Sequence, residues 1–190
     1  MDIPEFLNLC SGKWVSQRTT HQLIEQKNQS NRSDLQIDSL EPTHADVIAL
    51  CQQRNIDPAL AYGGLQITWS EVTDAYFQSR FKPRNEGQTL LVPILDPTQP
   101  DMGQVLRKLS TDISLGTLSL GADETLTLVF DTDGLVAEER MWFASPNLRL
   151  RSSLMTQNGT VVASAFCSEI RMIAPPTPAV AETTTAQPNA

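Results

Sequence analysis

Two tight-turn signals, Asp133-Gly134 and Asn158-Gly159, constrain the fold of this 190-residue chain more than any other feature. Both dipeptides lie between runs in which polar and apolar residues alternate, and such turns typically join two antiparallel strands. The sequence therefore predicts a mainly β domain built as an antiparallel meander. Similar turn chemistry separates other alternating runs, at Gly63-Gly64, Asn85-Glu86-Gly87, Gly121-Ala122-Asp123 and Ser145-Pro146-Asn147.

The alternating segments number about ten or eleven, and short separators join them. A meander of this size closes into a barrel or packs as a sandwich. A closed barrel of this size can leave an interior wide enough for one small ligand. The segments predicted as strands are 13–23, 35–40, 65–70, 75–81, 88–95, 103–110, 112–119, 124–131, 135–144, 147–157 and 160–173.

Apolar residues recur at helical spacing in two places. Residues 2–11 predict a short N-terminal helix. The segment PTHADVIALCQQRN, residues 42–55, predicts a second helix that flanks the sheet, with Thr43 and Asp46 forming a capping box at its start. Residues 25–34, EQKNQSNRSD, are uniformly polar and predict a loop.

The C-terminal segment differs in composition from the rest of the chain. Residues 174–190 are rich in Pro, Ala and Thr and offer almost nothing to bury, which predicts a disordered tail. Residues 1–173 are long enough to form one domain with its own core.

Charge and cysteine usage narrow the partners and the compartment. The net charge is −8 and the pI is near 4.7, whereas phosphate binding needs a basic surface, so nucleic acid is not an expected partner. The apolar runs are short and the N-terminus lacks a basic region, so neither a membrane partner nor a secretory signal is predicted. Cys10, Cys51 and Cys167 are far apart, which is typical of reduced thiols and favours the cytoplasm.

Common catalytic motifs are missing from the sequence. The Gly pair in YGGLQ lacks the lysine of a phosphate-binding loop, and no GxSxG elbow occurs. His21 and His44 are the only histidines and have no ligand cluster around them, so no metal site is expected. Polar residues on the strands are the remaining candidates for a site.

The stretch NLRLRSS, residues 147–153, places Arg149, Arg151 and Ser153 on one face of a strand. Arginine binds carboxylates in a planar, bidentate manner, and the chain has ten arginines against four lysines. Two interpretations remain open. The face is either the wet outside of a half-buried sheet or the lining of a cavity that holds an anion. Alternation does not decide between them, because both faces of these strands mix polar and apolar residues.

Four segments together resemble the S-type phycobiliprotein lyases. The resemblance runs in order from residue 1 to about residue 173 and leaves out only the predicted tail. It implies a lipocalin-like, fatty-acid-binding-protein-like antiparallel β-barrel with a helix, which agrees with the predicted meander. The four segments are CSGKWVSQRTTHQL (10–23), DPALAYGGLQITW (57–69), ERMWFASPNLRLRSS (139–153) and FCSEIR (166–171).

This resemblance implies an activity and its partners. Members of the family attach an open-chain tetrapyrrole to a cysteine of a phycobiliprotein subunit through a thioether. The chain is therefore expected to be a lyase that uses phycocyanobilin as substrate, needs no separate cofactor, and serves an apo-phycobiliprotein subunit, commonly the β subunit. Whether it acts alone, as a homodimer or as a heteromer with a paralogous lyase stays open.

The resemblance also implies which residues line the bilin pocket. Arginines would anchor the two propionates with Ser153 in support, and Trp69 would form a flat wall. Glu139 or Glu169 would favour a protonated, electrophilic bilin, while the role of Tyr76 stays open. The positions that match the family's motifs are Arg18, Trp69, Glu139, Arg149, Arg151, Ser153 and Glu169.

Two other functions are compatible with such a barrel. A carrier of a bilin or a fatty acid would share the arginines, although it should not need two carboxylates inside the pocket. An assembly factor for apo-phycobiliproteins would bind no pigment at all.

Overall fold

The computed structural model describes residues 1–72, 85–96 and 98–172, and within them ten antiparallel strands form one closed barrel. Strands adjacent in sequence are adjacent in the barrel, and pairing of β1 with β10 closes it. The predicted antiparallel meander barrel is confirmed. Its strands are β1 (Gly12–Gln22), β2 (Lys27–Leu40), β3 (Gly64–Glu71), β4 (Glu86–Leu95), β5 (Met102–Leu109), β6 (Asp112–Leu120), β7 (Leu126–Thr132), β8 (Leu135–Ser145), β9 (Leu148–Gln157) and β10 (Thr160–Arg171).

The two strongest turn signals join the strands as predicted. Asp133 and Gly134 have φ of 52° and 79°, and Asn158 and Gly159 have φ of 49° and 82°. Positive φ at both central residues defines the type I′ turn, whose twist matches that of the flanking strands. These turns connect β7 to β8 and β9 to β10.

The predicted loop at residues 25–34 is wrong. Most of it belongs to β2 (Lys27–Leu40), which pairs with β1 from Gln22 opposite Lys27 to Gly12 opposite Ile37. The outer part of this hairpin is largely exposed on both faces, so its sequence carries no apolar alternation. Backbone hydrogen bonds to β1 hold this part of β2 in the hairpin, although its side chains bury little surface.

The second helix, α2 (Ala45–Gln53), begins differently from the prediction. Its N-cap is His44, whose Nδ1 accepts a hydrogen bond from the backbone N–H of Asp46 at 3.2 Å. The predicted capping box at Thr43 is therefore wrong, because the chain turns into the helix one residue later. A short 3₁₀ turn, Pro58–Leu60, follows α2.

The first helix, α1 (Ile3–Cys10), covers one end of the barrel. Asp2 and Glu5 form a reciprocal capping box at its start. The Phe6 ring is fully buried and meets that of Phe143 edge-on, with centroids 5.0 Å apart. Among the described residues, no helix covers the opposite end, where β1 ends at Gln22, and this end is called the open end below.

The outer face of the barrel carries a second, smaller core. Val47 and Leu50 of α2 pack against Leu90, Val92 and Leu106 on the outside of β4 and β5. This packing leaves the interior free of α2. Neither helix within the described ranges has the length and apolar character needed to cross a bilayer.

Two predictions fall outside the described residues. They are the strand at 75–81, with Tyr76, and the disordered tail at 174–190, so the domain boundary near residue 173 stays a prediction.

Candidate functional site

Strand register places the predicted site residues on the inward face of the barrel. Trp14 is fully buried in the interior, and Ser16 and Arg18 follow it at alternate positions of β1. Residues opposite each other on an antiparallel ladder share a face. Ser16 lies opposite Glu169 of β10, and Glu169 lies opposite Arg149 of β9.

A second ladder lies nearer the open end. Arg18 is opposite Cys167, which is opposite Arg151, and one step further Ser153 is opposite Glu139. The polar face of NLRLRSS thus points into the barrel, which favours the cavity interpretation over the wet outside of a sheet.

The inward carboxylates and guanidinium groups form one connected cluster. Nε of Arg149 donates to Oε2 of Glu169 at 2.6 Å. Nη2 of Arg151 donates to Oε1 of Glu169 at 3.3 Å, and its Nη1 donates to Oε2 of Glu139 at 3.4 Å. The two positive and two negative charges balance, which is the condition under which ions tolerate burial.

Burial differs along this cluster. The side chain of Glu169 is 0% exposed and that of Arg149 is 7% exposed, whereas that of Glu139 is 27% exposed. Burial by itself would raise the pKa of Glu169, but Arg151 and Arg149 hold that pKa below its ordinary value. Glu169 is therefore ionised at neutral pH, and Glu139 is the carboxylate that solvent or a ligand can reach.

Two further residues that the sequence did not single out support this cluster. Ser16 Oγ donates to Oε1 of Glu169 at 3.4 Å. The Trp14 ring packs against Arg149, whose Cζ lies 5.0 Å from the ring centroid, and against Arg171 at 4.1 Å. The alternation of Trp14, Ser16 and Arg18 along β1 could have placed Trp14 and Ser16 on the same face as the predicted Arg18. The guanidinium of Arg171 itself donates to backbone carbonyls at the end of α1 and has a structural role.

Three predicted residues stand apart from the cluster. Arg18 is exposed, and neither it nor Ser153 makes a side-chain hydrogen bond within the described part of the chain. Trp69 lies across the barrel on β3, in register with Gly87. A Cβ at Gly87 would lie 2.5 Å from Cζ2 of Trp69, so the missing side chain makes room for the indole ring.

The described residues enclose only a small internal cavity. It measures about 60 Å³ and is lined by apolar side chains together with Glu139, Arg149 and Arg151. A larger groove of about 740 Å³ runs along β1 to β4, lined mostly by outward-facing residues, and it also reaches Trp69 and Gly87. Pockets for drug-sized ligands usually measure ~300–1,000 Å³, so a larger ligand has to extend beyond the internal cavity. In the described ranges, no three His, Cys, Asp or Glu side chains are grouped as metal ligands.

A model of the family described as CpeS-like protein matches residues 2–172. The chain belongs to this family.

Curated relatives of the CpeS-like chain carry lyase names. A chromophore lyase CpcS/CpeS of Thermosynechococcus vestitus is 39% identical over 175 residues, which cover 90% of this chain and 93% of the relative. A phycocyanobilin lyase subunit CpcS of Picosynechococcus sp. is 31% identical over 183 residues, covering 95% and 91%. These relatives confirm the lyase class predicted from the sequence.

A solved structure agrees with the barrel of the CpeS-like chain. The S-type phycobiliprotein lyase CPES from Guillardia theta matches with a TM-score of 0.77 and 27% sequence identity, over 92% of this chain and 95% of that chain. The resemblance drawn from the four sequence segments is thereby confirmed.

Proposed function

We propose that this lyase binds phycocyanobilin at the open end of its barrel and promotes thioether attachment to a cysteine of a phycobiliprotein β subunit. The observation that carries the proposal is the buried, charge-balanced cluster of Arg149, Glu169, Arg151 and Glu139, which leaves one carboxylate at the cavity. The name of the Picosynechococcus relative supports phycocyanobilin as the pigment.

The two carboxylates of the cluster are suited to different tasks. Oε2 of Glu169 is taken by Arg149, and its Oε1 is taken by Arg151 and Ser16. Glu139 accepts only the long bond from Arg151 among the described residues. We therefore assign Glu169 to holding the arginines in place and Glu139 to contact with the pyrrole nitrogens of the bilin.

A carboxylate beside the pyrrole nitrogens favours the protonated bilin, because opposite charges nearby stabilise the charged form. The protonated pigment withdraws electrons from its ethylidene side chain, to which the acceptor thiolate adds. A C–S bond forms as the π bond of the ethylidene C=C opens, and the tetrapyrrole gains the proton that the thiol has lost, so no other reactant is consumed. Holding the pigment in one orientation toward one thiol accounts for the selectivity.

The pocket residues recognise the rest of the pigment. Arg149, Arg151 and the exposed Arg18 present guanidinium groups to propionates, and Ser153 offers a hydroxyl beside Glu139. Trp69 offers a flat surface on the opposite wall. The pigment is longer than the internal cavity, so we place its body toward the open end of the barrel.

The lyase needs no cysteine of its own. Cys10, Cys51 and Cys167 are all buried, and burial raises the pKa of each thiol, so all three stay protonated and are poor nucleophiles. Such thiols also fit a reducing compartment and the proposed location in the cytoplasm.

We expect Cys10→Ser, Cys51→Ser and Cys167→Ser each to retain transfer of phycocyanobilin to the acceptor. Removing a true nucleophile would reduce the rate by orders of magnitude. Initial rates should be measured at saturating pigment, with the melting temperature of each variant as a check on folding. Loss of transfer in a well-folded variant would contradict the proposed mechanism.

The first experiment mixes the purified protein with phycocyanobilin, with and without an apo-phycocyanin β subunit. The expected result is a shifted bilin absorbance that passes to the subunit and stays on it through denaturing electrophoresis. An acceptor subunit with its target cysteine changed to alanine is the control. Absence of any binding would overturn the proposal.

If the pigment binds but is not transferred, the protein is either one chain of a heteromeric lyase or a carrier of the pigment. A second mixture distinguishes these two possibilities. Adding a paralogous lyase chain should restore transfer if the active form is a heteromer, a form that the word subunit in one relative's name supports. Continued failure would make the protein a carrier of the pigment.

A further inference from the structure

An arginine on another wall of the barrel belongs to no ion pair in the described part of the chain. Arg107 of β5 lies in register with Ser114 of β6 and Leu91 of β4. Two residues before it, Val105 lines the internal cavity, so Arg107 also faces inward, one step nearer the open end. In the barrel order, β5 stands four strands away from β9, which carries Arg149.

The side chain of Arg107 is held in a fixed position. Its Cζ lies 3.9 Å from the centroid of the Phe130 ring, and its Nε donates to Oγ of Ser114 at 3.2 Å. A Cβ at Gly116 would lie 2.6 Å from Cδ1 of Phe130, so the ring needs a glycine there to form the platform for the guanidinium. The two terminal nitrogens of Arg107 have no partner among the described residues.

The electrostatic surroundings of Arg107 differ from those of the cluster on β8 to β10. Arg149 and Arg151 are neutralised by Glu169 and Glu139. Partial burial lowers the pKa of Arg107, and the charge of Glu139 offsets part of this effect without pairing. An oriented, partly desolvated guanidinium with two free donors is suited to bind a carboxylate in a bidentate manner.

We infer that Arg107 is a ligand-binding residue that anchors one propionate of the bilin. It does so from β5, four strands away from the strand that carries Arg149 and Arg151. This inference rests on the proposed function, because the carboxylate is that of the pigment. It adds to the proposed anchors an arginine whose terminal nitrogens are free among the described residues, whereas Arg149 and Arg151 are already paired with glutamates.

The test is Arg107→Met, which removes the charge and keeps much of the length. Lys108→Met is the matched control, because Lys108 is the next residue and points outward. Each variant is titrated with phycocyanobilin and with its dimethyl ester, which lacks both carboxylates. We expect Arg107→Met to weaken binding of the free acid about tenfold to a hundredfold and to leave ester binding unchanged. Arg107→Lys should restore part of the loss.

The possible results distinguish a failure of this inference from a failure of the proposed bilin-binding function. If wild-type protein binds both pigments and Arg107→Met weakens neither, or weakens both equally, Arg107 has only a structural role and the inference is wrong. If wild-type protein binds neither pigment, the proposed function and this inference fall together. An effect of Lys108→Met equal to that of Arg107→Met would show nonspecific charge attraction and would also overturn the inference.

Discussion

Replacing Glu169 by glutamine is expected to lower the free energy of unfolding by about 3–5 kcal/mol, because the change leaves Arg149 buried without its counter-charge. The carboxylate is 0% exposed, and both its oxygens accept hydrogen bonds from guanidinium groups. Glutamine keeps the size of the side chain, so the loss reports charge and hydrogen bonding more than packing. Urea denaturation followed by tryptophan fluorescence measures it, with buried Trp14 as one reporter.

Glu139→Gln is the matched control for this measurement. Glu139 is partly exposed and its bond to Arg151 is long, so we expect a loss of about 1 kcal/mol or less. If both variants lose the same free energy of unfolding, the buried ion pairs of Glu169 contribute no more to stability than the partly exposed pair of Glu139, and the prediction is wrong.

The pH dependence gives an independent check on Glu169. Its pKa in the folded protein is lower than the ordinary value of 4.5, so its contribution is fully present above that value. The contribution is lost as the pH falls through the folded pKa. The difference in stability between wild type and Glu169→Gln should therefore be largest near neutral pH and shrink in acid.

Much of the fold could be predicted because its turns have strict chemical requirements. Asp133-Gly134 and Asn158-Gly159 need positive φ at two successive positions, and few dipeptides tolerate that conformation. The outer half of β2 was misread as a loop because its residues are largely exposed, and periodicity reports burial only. His44 was missed as a cap because imidazole is an uncommon capping group.

The composition of the site could be predicted, but the pairing of Arg149 with Glu169 could not. The Asn158-Gly159 turn alone would set Arg149 opposite Ser168. A one-residue shift between Val161 and Ala163 instead brings Glu169 opposite Arg149, on the inward face. Such a bulge leaves no clear signal in a sequence. Arg107 was missed for a related reason, since its strand reads GQVLRKL and two successive basic residues do not reveal which one points inward.

Glu139→Gln is expected to slow bilin transfer by about a hundredfold or more while the protein stays folded and still binds the pigment. Proton positioning by a side chain typically contributes ~10²–10⁴-fold to a rate, and glutamine cannot stabilise a protonated pyrrole by charge. The variant should bind phycocyanobilin with a spectrum shifted toward the unprotonated form. Absorbance titration against pH and initial transfer rates measure the two effects separately.

A neighbouring carboxylate provides the matched control for this prediction. Glu138 precedes Glu139 on β8 and points to the outer face, so Glu138→Gln removes the same charge without touching the pocket. We expect its transfer rate and bilin spectrum to match those of wild type. If Glu139→Gln transfers normally and Glu169→Gln, assayed where it is still folded, does not, the polarising role moves to the buried carboxylate. In that case the pigment has to displace an arginine from Glu169 before it can be protonated there.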